Sequence, residues 1–221
     1  MNRDLAIGVL VSGSGSNLQS IIDHIAAGKL SAHIEVVISN NPGAFGVERA
    51  RRHHIPCFVV DHRKFKTREE FDCEMIRILH DRKVELVVLA GFMRILTPRF
   101  LEAFPLRIMN IHPALLPSFP GTHAQRQAFE FGVKISGCTV HFVDNGVDTG
   151  PIIIQAAVPV WDGDTEDSLA ARILKEEHRV YPQAIQWYAE GSLSVEGRKV
   201  HRRGTRSSSD VILHQPPLER F

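Results

Sequence analysis

Continuous apolar runs rich in valine and isoleucine recur in the first hundred residues at 5–11, 34–39, 57–60 and 86–90, and segments of helical period such as 17–27 and 68–81 separate them. Strands that are apolar without alternation need helices over both faces. The pattern therefore predicts successive βαβ units and a doubly wound, mostly parallel α/β sheet of nucleotide-binding type. After Gly121 the rhythm changes. A helix is expected over 124–131, strands over 137–143 and 152–160 bracketing a loop at 144–150, and a long helix over 165–189. Asp164 or Thr165 could cap that helix, and Gly191 follows its end. This second portion should extend the sheet in mixed or antiparallel fashion.

No repeat or low-complexity linker divides the 221 residues, so one domain is expected over 1–221. The formal net charge of +1 gives no electrostatic reason to expect a nucleic-acid partner. The amino-terminal apolar run is too short for a signal peptide or a membrane span, which points to a cytoplasmic protein with no membrane partner. Cys57, Cys73 and Cys138 are odd in number and form no C-x-x-C pair, so neither a disulfide framework nor a metal site is expected. From Arg198 the tail is basic, then Ser-rich at 207–209, with Pro216 and Pro217 near the end; a solvated face is the expectation. A short hairpin pairing 193–195 with 199–201 is possible. Oligomeric state, monomer or homodimer, is open.

The first strand runs into S-G-S-G-S-N at 12–17, with a helix beginning near Leu18. Glycines permit a tight turn, and successive N–H groups at a helix start make a concavity for an anion, a phosphate above all. The dinucleotide pattern fails at Leu18, where its third glycine belongs, and no Walker Gly-Lys-Ser/Thr is present. A plain β-to-α turn with a Ser or Asn cap is the bland alternative.

At 107–121 the chain reads R-I-M-N-I-H-P-A-L-L-P-S-F-P-G. Residues 108–111 suit a short buried strand, and Pro113, Pro117 and Pro120 forbid a regular helix after it. Asn110 and His112, two apart, would then project from one face at a strand end, where open α/β sheets bind ligands. Asp148, in D-T-G-P, supplies a carboxylate that could orient the imidazole, although Asp before T-G-P also serves as an ordinary turn residue. An amide, an imidazole and a carboxylate suit acyl transfer.

Taken together, S-G-S-G-S-N-L-Q-S-I, L-A-G-F-M-R-I-L at 89–96, N-I-H-P-A-L-L-P-S-F-P-G and D-T-G-P resemble the phosphoribosylglycinamide formyltransferase family, over nearly the whole chain to about Gly191. The resemblance implies a folate-dependent enzyme of purine biosynthesis. Such an enzyme passes a formyl group from 10-formyltetrahydrofolate to the amine of glycinamide ribonucleotide and needs no metal. It implies catalytic roles for Asn110, His112 and Asp148, and ribonucleotide contacts at Gly15, Ser16, Asn17 and Glu177. It places folate against Met93, Arg94, Ile95 and Leu96 and against Val143, Asp144, Asn145, Gly146 and Val147, with Arg68 meeting the glutamate tail. On this reading residues 1–100 form the phosphate and ribonucleotide half, 101–191 the catalytic and folate half, and 192–221 a tail. One departure stands out: where the family often carries Lys or Gln one turn before Glu177, this chain has Leu174, with Lys175 beside it. A related deformylase would use water as acceptor but usually carries an added amino-terminal domain. A methionyl-tRNA formyltransferase would add a carboxyl-terminal one. A catalytically silent ligand-binding protein on the same fold is the reading from another class.

Overall fold

A computed structural model describes residues 4–204 and residue 215, so the serines at 207–209 and Pro216 and Pro217 lie outside the described residues. Its strands form one nine-stranded sheet in the order β3-β2-β1-β4-β5-β6-β7-β9-β8. β1 (Leu5–Val11), β2 (Ala32–Ser39), β3 (Cys57–Val59), β4 (Leu86–Leu89) and β5 (Ile108–His112) pair in parallel. β6 (Ile135–Phe142) and β7 (Ile152–Pro159) continue antiparallel. The doubly wound sheet with an antiparallel extension is thus observed, with β5 as the strand where the pairing changes sense.

The helices are α1 (Ser16–Ala26), α2 (Phe45–Arg52), α3 (Arg68–Asp81), α4 (Pro98–Ala103), α5 (Ala124–Phe131) and α6 (Glu166–Ala189). α1 begins two residues earlier than the sequence suggested, because Gly15 (φ 67°, ψ 29°) turns the chain directly from the strand into the helix. α2 and α4 are short, and their apolar positions are too few to register as helical periods in the sequence. Thr165, not Asp164, caps α6. Its hydroxyl accepts from Ser168 N–H at 3.2 Å, and the Ser168 hydroxyl accepts from Thr165 N–H at 3.0 Å, a reciprocal box. Asp164 instead holds Arg172 at 2.7 Å and Ser168 at 2.6 Å.

Two cores cover the sheet. Val9, Val11, Val88, Met109 and Ile111 pack with Leu18 and Ile21 of α1 and Ile173, Tyr181 and Ile185 of α6. Leu10, Val87, Leu89 and Ile108 pack on the other face with Phe71 and Met75 of α3 and Phe100 of α4. Pro182 lies inside α6 and lacks an N–H, which leaves the His178 carbonyl without its helical donor. The Ser20 hydroxyl supplies one at 2.8 Å, fixing α1 against α6. The Tyr181 hydroxyl, fully buried, lies 3.0 Å from the Leu89 carbonyl and 2.9 Å from that of Met109, so α6 also ties the ends of β4 and β5.

β8 (Leu193–Glu196) and β9 (Lys199–Arg202) form the short hairpin, with β9 beside β7, so Lys199–Arg202 of the basic run is strand. Cys57, Cys73 and Cys138 are free, and burial pushes the Cys138 thiol up to about 12, which keeps it protonated. Among the described residues no helix is long and apolar enough to cross a membrane.

Candidate active site

Alternation along β5 sets the site. Ile108 enters one core, Met109 and Ile111 the other, and Asn110 and His112 share the Ile108 face. There the segment after β5 and the loop 143–151 cover the sheet in place of a helix. Register then adds a third polar side chain, because β6 sets His141 opposite Asn110. His141, 1 % exposed, carries no motif of its own and sequence reasoning missed it. The available signal was positional: a histidine in the apolar strand G-C-T-V-H-F that leads into the Asp148 loop.

Asp148 joins all three. Its Oδ2 lies 3.3 Å from His112 Nδ1 and accepts the Gly121 N–H at 2.8 Å. Its Oδ1 lies 3.6 Å from His141 Nε2 and accepts from Asn110 Nδ2 at 3.4 Å. Burial alone would raise the carboxyl's pKa, but the His141 contact, the Gly121 N–H and the His112 ring outweigh it, so Asp148 sits below the usual carboxylate value and stays ionised. Asp148 itself adopts φ 53°, a left-handed conformation that costs an L-residue about 1–2 kcal/mol and that the surrounding loop must hold. The Gly146 N–H and the Thr149 hydroxyl both donate to Asp144 Oδ1, at 3.0 and 2.6 Å, closing that loop.

His112 Nε2 faces a carbonyl, that of Phe119, at 2.8 Å, so this nitrogen carries a proton. With Asp148 on Nδ1, both partners of the ring are acceptors, an arrangement suited to the imidazolium. Burial nonetheless pushes the His112 pKa below its ordinary value, against the pull of Asp148 and the Phe119 carbonyl. Burial and the two acceptors thus act on the ring in opposite senses. His141 Nδ1 donates to the Phe142 carbonyl at 2.8 Å, and its Nε2 lies between Asn110 Nδ2 at 3.2 Å and Asp148 Oδ1 at 3.6 Å. Both bonds of the Asn110 amide are long, so they can be exchanged for a substrate oxygen at little cost. The Thr139 hydroxyl donates to the Ala114 carbonyl at 2.7 Å and accepts the Leu116 N–H at 3.0 Å, fixing the proline-rich segment that carries Phe119.

At the phosphate end, Gly15 stands at the N-cap of α1 and no side chain caps the helix. A Ser or Asn cap is therefore not what forms, and among the described residues no side chain caps the first turn at Ser16, Asn17 and Leu18. The Asn17 side chain turns inward to donate to Glu177 Oε2 at 2.7 Å, and its Oδ1 is buried without a partner. Glu177, 6 % exposed, has its pKa raised by burial, with the Asn17 bond opposing. Lys175 is exposed, while Leu174 is half-buried.

The residues assigned to folate lie in two separate segments. Met93 and Ile95 are 69 % and 60 % exposed, Arg94 is half-buried, and Leu96 turns into the core below α3 and α4. The Met93 N–H donates to the Ser12 hydroxyl at 2.8 Å, and Thr97 gives both its N–H and its hydroxyl to Asp72 at 2.7 Å, so this segment is pinned at each end. In the second segment Val143 and Asp144 are half-buried, and Asn145, Gly146 and Val147 are exposed. Arg68 is exposed at the start of α3, near enough to Asp72 for its charge to act on that carboxyl. Among the described residues no group of three or more His, Cys, Asp or Glu side chains could hold a metal ion.

Known proteins resemble this chain throughout. The formyl transferase family model matches residues 5–185. Phosphoribosylglycinamide formyltransferase of Escherichia coli K12 is 45 % identical over 198 residues, covering 90 % of this chain and 93 % of its own. The trifunctional purine biosynthetic protein adenosine-3 of Drosophila melanogaster is 50 % identical over 195 residues; these are 87 % of this chain but only 14 % of that protein. The crystal structure of glycinamide ribonucleotide transformylase 1 from Symbiobacterium toebii superposes with a TM-score of 0.90 at 52 % identity, over 91 % of this chain and 95 % of that one.

Proposed function

The chain belongs to the formyl transferase family, and we propose that it transfers the formyl group of 10-formyltetrahydrofolate to the amine of glycinamide ribonucleotide, a step of purine biosynthesis. The observation that carries the reading is the pairing, on one sheet, of an uncapped helix start with a part-buried amide–imidazole–carboxylate cluster. The first suits the phosphate of a ribonucleotide, the second an acyl transfer. The names of the E. coli and S. toebii relatives, which this chain matches nearly end to end, support the same substrate pair.

In the proposed mechanism the substrate supplies the nucleophile. Its amine attacks the formyl carbon, the carbonyl becomes a tetrahedral oxyanion, and the bond from carbon to the folate N10 then breaks. One proton leaves the amine and one reaches N10, so the products are the formamide and tetrahydrofolate. Holding the two substrates together and stabilising the oxyanion are the main tasks. Asn110 donates its amide N–H to the oxyanion. His112 exchanges the Phe119 carbonyl for the substrate oxygen, acting as imidazolium or passing the amine's proton to N10, and Asp148 favours the charged ring and orients it. Gly15, Ser16 and Asn17 hold the phosphate through backbone N–H groups, and Glu177 meets the sugar. Met93, Arg94 and Ile95 and the loop 143–147 enclose the folate, with Leu96 shaping its wall from within the core and Arg68 at the glutamate tail.

Purified protein is mixed with 10-formyltetrahydrofolate, with and without glycinamide ribonucleotide, and tetrahydrofolate release is followed. Release that needs the ribonucleotide and yields its formylated product is expected. Release without it identifies a deformylase, and no release with intact ribonucleotide binding identifies a silent binding protein.

A further inference from the structure

We propose that Arg49, on α2, is a further binding residue for the phosphoryl group at the start of α1, clamping it from the side opposite α6. This rests on the reading that the α1 terminus takes the ribonucleotide phosphate. α2 starts against the loop: the Gly46 N–H donates to the Gly13 carbonyl at 3.0 Å, and a Cβ on Gly15 would stand 2.6 Å from Gly46 Cα. One turn on, Arg49 reaches back. Its Nε donates to the Ser14 carbonyl at 2.9 Å and its Nη1 to Gln19 Oε1 at 3.1 Å. The guanidinium thus bridges residues on either side of the uncapped turn at 16–18, and the Phe45 ring, 4.9 Å from its carbon, supports its plane.

Those two bonds leave the Nη2 pair of N–H groups unused among the described residues. A planar, permanently charged fork suits a phosphoryl group better than a solvated ammonium does. The opposite wall supplies no such charge. α6 brings Glu177 to Asn17, while Lys175 is exposed. His178, the neighbouring α6 side chain, has its pKa lowered by burial and then by the Arg49 charge. Asp23 and His24 of α1 also act on His178, in opposite senses.

The test uses the full chain, with inorganic phosphate and glycinamide ribonucleotide as probes in calorimetric titration, alongside steady-state kinetics and thermal melting. Arg49→Gln is expected to weaken both affinities, and to raise the ribonucleotide KM, by about 10- to 100-fold, the range for a hydrogen bond to a charged group. kcat and the folate KM should stay within about twofold. Arg49→Lys, which keeps the charge and loses the fork, should fall between. Unchanged phosphate and ribonucleotide affinity in Arg49→Gln overturns the proposal. So does an equal loss for both substrates with a lowered Tm, which makes Arg49 a loop brace only; Arg49→Lys then serves as the folded variant in which phosphate affinity is read. A chain that transfers no formyl group yet loses phosphate affinity in Arg49→Gln overturns the function and leaves Arg49 standing.

Discussion

The two ends of the proposed site are built from different materials. The proposed phosphate end is backbone: a left-handed Gly15 and a turn of uncapped N–H groups contributed by consecutive residues. The reaction end is side chain: Asn110, His112, His141 and Asp148 arrive from two antiparallel strands and a loop, up to 38 residues apart. Backbone donors suit an anion whose charge does not change, and they titrate with nothing. Proton movement needs groups whose charge can change, and those must be side chains set in register by tertiary structure. Substitutions at the two ends should therefore fail differently.

The reaction end should show the largest effects. His112→Ala and Asp148→Asn are each expected to lower kcat by about 10²- to 10⁴-fold, the scale of acid–base and oxyanion contributions. Calorimetry should find ribonucleotide binding nearly intact. Near-normal turnover in both variants would dissolve the distinction between the ends.

Gly15→Ala attacks the other end. It forces an L-residue to φ 67° and drives a methyl against Gly46 Cα. About 2 kcal/mol or more of stability should be lost, and the ribonucleotide KM should rise about tenfold, with kcat largely kept. A fall in kcat at constant KM would mean that the loop serves the chemistry rather than the phosphate.

His141→Gln keeps a group able to accept from Asn110 but removes the ring beside Asp148. A drop in kcat of about tenfold is expected, smaller than for His112, because His141 acts through its neighbours. A KM effect alone would argue against that role.

Stability should depend on pH through groups at both ends. His112 and His178 have folded pKa values below the ordinary value near 6.5, so the unfolded chain binds more protons as pH falls through that window, and stability falls with it. Asp148 adds a contribution present above its unfolded pKa and lost in strong acid as pH falls through the folded value. Glu177 acts in the opposite sense: its raised folded pKa means that its contribution declines as pH rises above the ordinary carboxylate range. In urea unfolding at pH 7.5 and 5.5, His178→Gln should lose less stability on going to 5.5 than the unaltered chain does. A steeper dependence in that variant would contradict the assignment. Lys175→Ala should do least, leaving the ribonucleotide KM within about twofold, because an exposed side chain away from such features rarely matters.

The contrast also explains what could be read from the sequence. The parallel half was legible because buried strands leave continuous apolar runs, and the phosphate loop because its parts are consecutive. Asn110 and His112 were legible as residues two apart on one strand. His141 was not, since its role depends on which residue of β6 falls opposite Asn110, and cross-strand register leaves no local trace. The inward turn of Asn17 toward Glu177, 160 positions away, was hidden for the same reason. So was the part α2 plays at the loop, because only Gly46, Val47 and Ala50 of that helix are buried, too weak an apolar period to stand out among its charged residues.

The pairing of Asn110 with His141 also predicts where this chain could change length without harm. Residues 113–134 leave the sheet after β5 and return at β6, so an inserted residue at the far end of that excursion shifts nothing in the strands. One residue inserted between Ser136 and His141 would carry the imidazole to the opposite face of the sheet, into a packed apolar core. For an engineer, the α5 turn is thus a place to graft a tag or a loop, while a single codon added to β6 erases the site.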